Sequence, residues 1–529
     1  MNTGLHKQGP VVRALLAVLC VLCVAALLII LTGGIGVGFS NHVGLMPVVR
    51  RFLDPDYLPG DYGISLRFYH HRTFVYLVGA LSSVLGEDNA LIALSVAGKL
   101  SLSAALFYLC RVLRIGLVGF LTVGCLLATG AMWTGRSLET NTFVGPPEIM
   151  PPIFAHLLVL LGTAELLRGR YRLAAFLSGA VVLFHLQIGL IFALLITPFY
   201  AVRIAAFGLK ESLRLAALFL APTSLALAHF RLMMQRGLNS PSFSLDYIDF
   251  RQPHHFELSS AGAAVAVTIH LTLVAAAYLW SRRAGQLEES RRMGVLLLMC
   301  AMLAALSAAH FLDYYLLRDG HIVKIQFPRM SALVTVFGAL ALISLSRSWA
   351  EMESGFGQRV RLVRWANLCL IVAALAPSVY GSLRSRPLGW APVRRYADQR
   401  SEWVEVCRWV GEHGPRETVY LTPPGNEGFT YLSNRSNVVE FKINPDGGQH
   451  LSEWFGRLKD LAGGSLPDER GFANESRLNE AFASLDDVQI KALGRKYGAV
   501  YAVVPQSSPL TFETVYKNDG YRVVKFPDD

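Results

Sequence analysis

A chain of 529 residues with 53% hydrophobic and 16% charged side chains, and a mean hydropathy of +0.40, is too apolar for a soluble protein of this length. Most of it is therefore expected in lipid. The formal charge of +11 lies in short loops between apolar runs, where membrane topology accounts for it, and this excludes reading it as a nucleic-acid footprint. Soluble nucleotide chemistry is excluded too: no P-loop, no GxGxxG between a strand and a helix and no HExxH occurs, and "GGIGVG" closes an apolar run where small residues serve helix packing.

In chain order, the first apolar run, from about Val11 to Ile35, exceeds the ~20 residues needed to cross the hydrocarbon core. It lacks a small-residue cleavage site, so it reads as a retained span rather than a leader. Further spans are predicted near 90–112, 115–133, 150–167, 172–185, 187–206, 212–234, 260–280, 293–312, 328–346 and 364–381, about eleven in all. The connections carry Arg111/Arg114, Arg168/Arg170/Arg172, Arg203/Lys210/Arg214, Arg282/Arg283/Arg291/Arg292 and Arg347/Arg359/Arg361/Arg364 on one side, together with Lys7 and Arg13. The positive-inside rule makes that side the cytoplasm, and an odd span count sends the C-terminus out. The expectation is a multi-pass protein of the inner (cytoplasmic) membrane with outer loops at 36–89, 134–149, 235–259 and 313–327. Within the first of these, "FYHHRTFVYLVGALSSVL" reads as an interfacial helix, its run 73–86 being short for a span. Six cysteines (Cys20, Cys23, Cys110, Cys125, Cys300 and Cys369) lie in apolar runs as small hydrophobes, and only Cys407 falls in a polar region, so no disulfide framework is expected.

From about Ser382 the character changes. Residues 401–529 carry 14 Lys and Arg against 19 Asp and Glu, which leaves the remainder strongly basic. The segment "SEWVEVCRWVGEH" places Trp403, Val404, Cys407 and Val410 at helical spacing, followed by strand-like "TVYLT" and the breaker "PPGNEG". A strand "NVVEF", helices "HLSEWFGRLKDLAG" and "DDVQIKALGRKYG", a strand "AVYAVVP" and a closing hairpin "FETVYKNDGYRVVKF" complete it. The fold class is thus a membrane all-α bundle with a C-terminal extracytoplasmic α/β domain, divided as 1–385 and 386–529.

Two polar constellations stand out. "RFLDPDYLPGDYG" gathers Asp54, Asp56 and Asp61 in an outer loop, either as turn residues bonding local amides or as working carboxylates. "LDYYLLRDGHIVKIQFPRM" supplies Arg318, His321, Lys324 and Arg329, and a guanidinium entering a span suits bidentate phosphate binding, although basic residues at span ends also snorkel to headgroups. Lys99 and His185 are ionisable residues within or between spans, expected to face a bundle interior. His254 and His255 in "FRQPHHFEL", Glu139 and Glu148 around "TNTFVGPP", Asp246 and Asp313 complete the polar inventory of the outer side.

This layout resembles the GT-C superfamily of membrane glycosyltransferases. "DPDYLPGD", "TFVGPPE", "LFHLQIG", "QFPRMS" and "TPPGNEGFTYLSNRSNVVEFK" are similar to an uncharacterised family of bacterial multi-pass membrane proteins near that superfamily. The resemblance implies transfer of a sugar from a polyprenyl-phosphate donor at the outer membrane surface, with Asp56, Asp61 or Asp54 as general base or metal ligand. It further implies Arg329, Lys324 and His321 on the donor phosphate and a divalent cation (Mg or Mn) if a metal is used; in the tail, Arg435 and the "TPPGNEG" loop are the candidates for acceptor contact, against a surface arginine and a structural turn as the plainer readings. The partners are then membrane lipids and a lipid-linked sugar, in cell-envelope assembly. A transporter or flippase of an amphipathic substrate, or a non-catalytic assembly factor, is the competing expectation; repeated halves and matching broken spans, which a transporter predicts, are not evident in the sequence.

Overall fold

The structure, a computed structural model, describes residues 9–67, 71–129, 146–235, 245–256, 261–351, 362–363, 365–376, 391–445 and 448–527. Glu139 lies outside these. Among the described residues, six helical segments are long and apolar enough to cross a membrane: Pro10–Leu31, Glu87–Val112, Ala206–Ala228, Ala264–Arg283, Leu287–Leu317 and Val323–Ser348. Leu117–Ala128, Pro151–Leu167, Tyr171–Phe184, Leu186–Ala201 and Trp365–Ala376 are apolar but shorter. Long apolar helices make this a polytopic membrane protein; six meet the length criterion, where eleven spans are expected from hydropathy.

The chain divides into two compact units. The first comprises residues 1–35, 93–226 and 255–392 and holds most of the apolar helices. With no hydrophobic drive between helices in lipid, close approach depends on small residues. Gly179 and Gly338 show this: a Cβ would stand 2.1 Å from the Phe219 carbonyl oxygen in one case and 2.6 Å from His270 Nδ1 in the other. Charge inside this unit is paired at helix ends. Glu289 is buried, ion-paired with Arg347 and hydrogen-bonded by Ser344 and Ser348, while Arg347 also donates to the carbonyls of Leu113 and Arg114 at 3.1 and 2.9 Å.

The second unit joins residues 36–92, 227–254 and 393–529. Its five-stranded sheet runs Ser436–Asn437, Val419–Leu421, Ala499–Pro505, Tyr521–Lys525, Glu513–Lys517, parallel through the first three and antiparallel through the rest. Helix Glu402–His413 is capped by Ser401 and buries Trp403, Val406, Cys407 and Val410 against Tyr420, Phe429, Val503 and Val523. Cys407, in a stretch that reads as polar, is core. Helix Gly448–Leu461 sets Trp454 at 0% exposure, with its ring edge-on to Tyr247 at 6.2 Å.

Two elements differ from expectation. "NVVEF" is not a five-residue strand: the ladder stops after Asn437, because the Phe441 amide turns to the Pro424 carbonyl at 2.7 Å and Glu440 is drawn inward. Helix Ala473–Ala483 is unanticipated; only Asn474, Leu478 and Phe482 of its length are buried, too sparse a stripe to register as periodic. The first outer loop contains helices His42–Leu53, Tyr62–Arg67 and Arg72–Leu85.

Candidate functional site

In the first unit, a 3-10 turn, Phe327–Met330, leads into the apolar helix Ser331–Glu351. Its entry residue, Gln326, has φ +58°, a left-handed conformation that costs an L side chain about 1–2 kcal/mol. Gln326 is also buried, and its Oε1 meets no donor among the described residues. The turn presents Arg329, whose Nη1 lies 3.2 Å from His185 Nε2 and whose buried Nε has no acceptor among the described residues. No carboxylate among them pairs with this guanidinium. His185 ends helix Tyr171–Phe184 and caps Leu186–Ala201, its Nδ1 accepting from the Ile188 amide at 3.4 Å. The His185 imidazole meets one guanidinium nitrogen at 3.2 Å but brings no negative charge to balance it. Such a face calls for an acceptor, and an anionic oxygen satisfies it best.

The loop before this turn is tied by Asp313. It is buried and accepts from the amides of Gly320, Ile322 and Val323 at 2.9, 2.6 and 2.8 Å. That acid organises the loop. His321 is exposed and 3.5 Å from Asp319; Lys324 is exposed, with its carbonyl receiving Gln187 Nε2 at 3.4 Å. Neither bonds Arg329. Lys99 and Glu148 are both buried in this unit and interact electrostatically.

The aspartates belong to the second unit, and the structure separates their roles. Asp54 accepts from the Asp56 amide at 3.0 Å, closing a local turn. Asp56 is exposed, and its carboxylate bonds no group among the described residues. Asp61 is buried, accepting from the Ile64 amide at 2.9 Å, the Thr430 hydroxyl at 3.4 Å and the Asn437 amide at 3.3 Å. Beside it Glu440, equally buried, accepts from the Gly428 amide at 3.0 Å and Asn437 Nδ2 at 3.1 Å. Asn437 thus bridges the two acids, its backbone on one and its side chain on the other. Both acids line a narrow pocket with Gly44, Tyr62, Thr430 and Ile443, with space for about one water.

Burial pushes Asp61 up to about 6, against the opposing pull of its amide donors. Burial, assisted by the charge of Asp61, pushes Glu440 up to about 7. The folded unit therefore keeps protons that the unfolded chain releases near about pH 4, so this contribution to stability is whole below that pH and is lost as pH rises through 6 and then 7. Glu440→Gln removes one titration. In denaturant unfolding, the parent's stability relative to Glu440→Gln is expected to fall with rising pH across this window by up to about 1.4 kcal/mol per pH unit. A difference that does not change with pH would mean that the Glu440 carboxyl is not held protonated by the fold.

Arg435, proposed from sequence as an acceptor contact, is buried in this unit. It donates to the Gly411 and Asn434 carbonyls at 2.8 and 2.9 Å and twice to Gly414, so its fork is committed to backbone. The "TPPGNEG" loop is buried at residues 422–424 and at Gly428 and half-buried between, with the Gly425 amide on Asn479 Oδ1 at 2.8 Å. His254 stacks on Phe472 with centroids 4.7 Å apart, and Asp246 is exposed in the first turn of Leu245–Arg251. Sequence reasoning does not single out Glu440 or Gln326. An acid inside the apolar run "VVEF" is the one signal for the first; nothing in the sequence marks the second. Among the described residues no group of three His, Cys, Asp or Glu side chains gathers, and Asp54, Asp56 and Asp61 differ too much in burial to share an ion, so this donor set does not fit Mg or Mn.

Residues 401–461 match a family model described as Domain of unknown function (DUF6798). No curated protein matches the chain. Among solved structures, ArnT from Cupriavidus metallidurans bound to undecaprenyl phosphate aligns over 96% of this chain and 97% of its own, at 13% identity and a TM-score of 0.49.

Proposed function

We propose that the chain is a GT-C-like glycosyltransferase that moves a sugar from a polyprenyl-phosphate donor to an acceptor at the outer face of the membrane. The observation that carries this reading is the Arg329 guanidinium at the head of an apolar helix, which meets His185 but no carboxylate among the described residues. A lone cation in such surroundings is costly unless an anion completes it, and a phosphate on an apolar chain supplies both the charge and the lipid solubility. In the reaction the acceptor hydroxyl attacks the anomeric carbon as the bond from that carbon to the phosphate oxygen breaks. Polyprenyl phosphate leaves with the electron pair on an oxygen held by Arg329, and the hydroxyl proton passes to a carboxylate. Of the first-loop acids, Asp56 has the carboxylate that fits a general base, being exposed and bonded to no group among the described residues, whereas Asp61 is occupied by three donors.

Arg329→Met is the decisive variant, because it keeps an unbranched apolar stem and removes the charge. The empty protein is expected to become more stable to unfolding, since a half-buried charge with no carboxylate partner is lost, while its Kd for polyprenyl phosphate, read by native mass spectrometry, rises about 30-fold. Weaker binding together with lower stability would mark Arg329 as a structural residue, and unchanged binding would remove the donor site altogether. Parent protein that binds polyprenyl phosphate yet transfers no sugar from a panel of linked donors would favour a lipid-phosphate carrier.

A further inference from the structure

A second pocket in the first unit opens where four apolar helices reach their ends. Leu167 closes Pro151–Leu167, Tyr171 starts Tyr171–Phe184, Phe199 and then Arg203 follow at the end of Leu186–Ala201, and Arg291 and Arg292 lie in the first turns of Leu287–Phe311. Three guanidiniums share this one concavity with a single carboxylate between them among the described residues. Arg292 holds that carboxylate, Glu288, at 2.9 Å and the Val112 carbonyl at 2.5 Å, yet its Nε is buried with no acceptor among the described residues. Arg203 lies over the Tyr171 ring, 4.8 Å from its centroid, and donates to its hydroxyl, with no carboxylate among the described residues. Arg291 is exposed and pairs with none of them. Neighbouring arginines of the same helix ends are neutralised instead: Arg172 forks onto Glu211 at 2.7 and 2.8 Å, and Arg170 reaches Glu165 at 3.5 Å.

Snorkelling explains one arginine lying along its own helix towards the headgroups. It does not explain arginines from separate helices converging on one concavity with half its wall apolar. We propose that this pocket binds the phosphate-bearing headgroup of an anionic membrane lipid, with the phosphate between Arg203 and Arg291 and an acyl chain along Leu167 and Phe199. By the distribution of basic loops this is the cytoplasmic end of the helices, where anionic lipid is met by cationic pockets between spans. The site is independent of sugar transfer.

The test titrates purified full-length protein in neutral detergent with phosphatidylglycerol, phosphatidylcholine or inorganic phosphate and follows thermal unfolding. Phosphatidylglycerol is expected to raise the unfolding temperature saturably, and the other two are expected to leave it unmoved. The double change Arg203→Gln with Arg291→Gln should shift the phosphatidylglycerol midpoint by about 30-fold, and Arg291→Gln alone, at an exposed and unpaired position, by about 5-fold. Arg282→Gln with Arg283→Gln makes the same charge change outside the pocket and should shift it by less than about 3-fold. Equal shifts in the two double variants would reduce the effect to bulk attraction. Equal stabilisation by inorganic phosphate would make the ligand a free anion, and no stabilisation by phosphatidylglycerol would leave the pocket without a lipid; each outcome overturns the proposal.

Discussion

Replacing Arg50 by Ala is expected to cost the second unit about 3–5 kcal/mol. The guanidinium meets Glu87 as a fork, Nε to Oε2 and Nη2 to Oε1, each at 2.8 Å. Its remaining nitrogen donates to the Tyr431 carbonyl at 2.8 Å and Asn434 Oδ1 at 2.7 Å, while the charge lies 4.8 Å from the centre of the Tyr431 ring. The side chains of both partners are only 22% and 23% exposed, so screening removes part of this energy but not most of it. Truncation would leave the Glu87 carboxylate half-buried without a counter-charge and the Tyr431 carbonyl without a donor. Arg50→Lys keeps the charge and loses the fork, and should recover less than half of the loss. Urea unfolding of the parent and both variants in detergent measures this. A loss below about 1 kcal/mol for the alanine would mean that water replaces the lost bonds and that the two stretches of chain are joined by apolar packing instead.

Asp56→Asn is expected to lower turnover by about 100-fold or more with normal folding and membrane yield, since the amide keeps the shape and cannot take a proton. Asp61→Asn should behave differently. There the Ile64 and Asn437 amides face the two carboxylate oxygens, and an amide nitrogen placed against one of them sets donor to donor, so stability falls by about 1–3 kcal/mol. Turnover of purified variants on a panel of polyprenyl-phosphate sugars, beside their unfolding curves, separates the two roles. An Asp61→Asn protein of parental stability and 100-fold lower turnover would move the base to Asp61. Normal turnover in both variants would make the loop acids architectural, and Glu148 or Asp246 would be tested next.

Local structure was readable where it acts over a few residues: the helices Glu402–His413 and Asp487–Tyr497 and the hairpin turning through "NDG" lie where their short stretches put them. Hydropathy placed Tyr171–Phe184 to within one residue of the run 172–185, but Leu117–Ala128 is shorter than its run 115–133, with Thr129 as its C-cap. What was not readable is long-range pairing. Nothing in "DPDYLPGD" announces that Asp61 meets Asn437, 376 positions on, or that Glu440 faces the same pocket. An orphaned acceptor such as Gln326 Oε1 exists only once the fold surrounds it.

The second unit is gathered from stretches at the beginning, middle and end of the chain, and this imposes an order in time. Arg50 leaves the ribosome 381 residues before Tyr431, the carbonyl it bonds. At ordinary elongation rates that is a delay of roughly 20–80 s. Throughout it Arg50 has Glu87 within its own loop, but the Tyr431 and Asn434 acceptors of its third nitrogen and the Thr430 and Asn437 donors of Asp61 have yet to be made. Loss of the C-terminal stretch, by a stop codon or a proteolytic cut, would accordingly strip the first loop of its partners although every residue of that loop is intact.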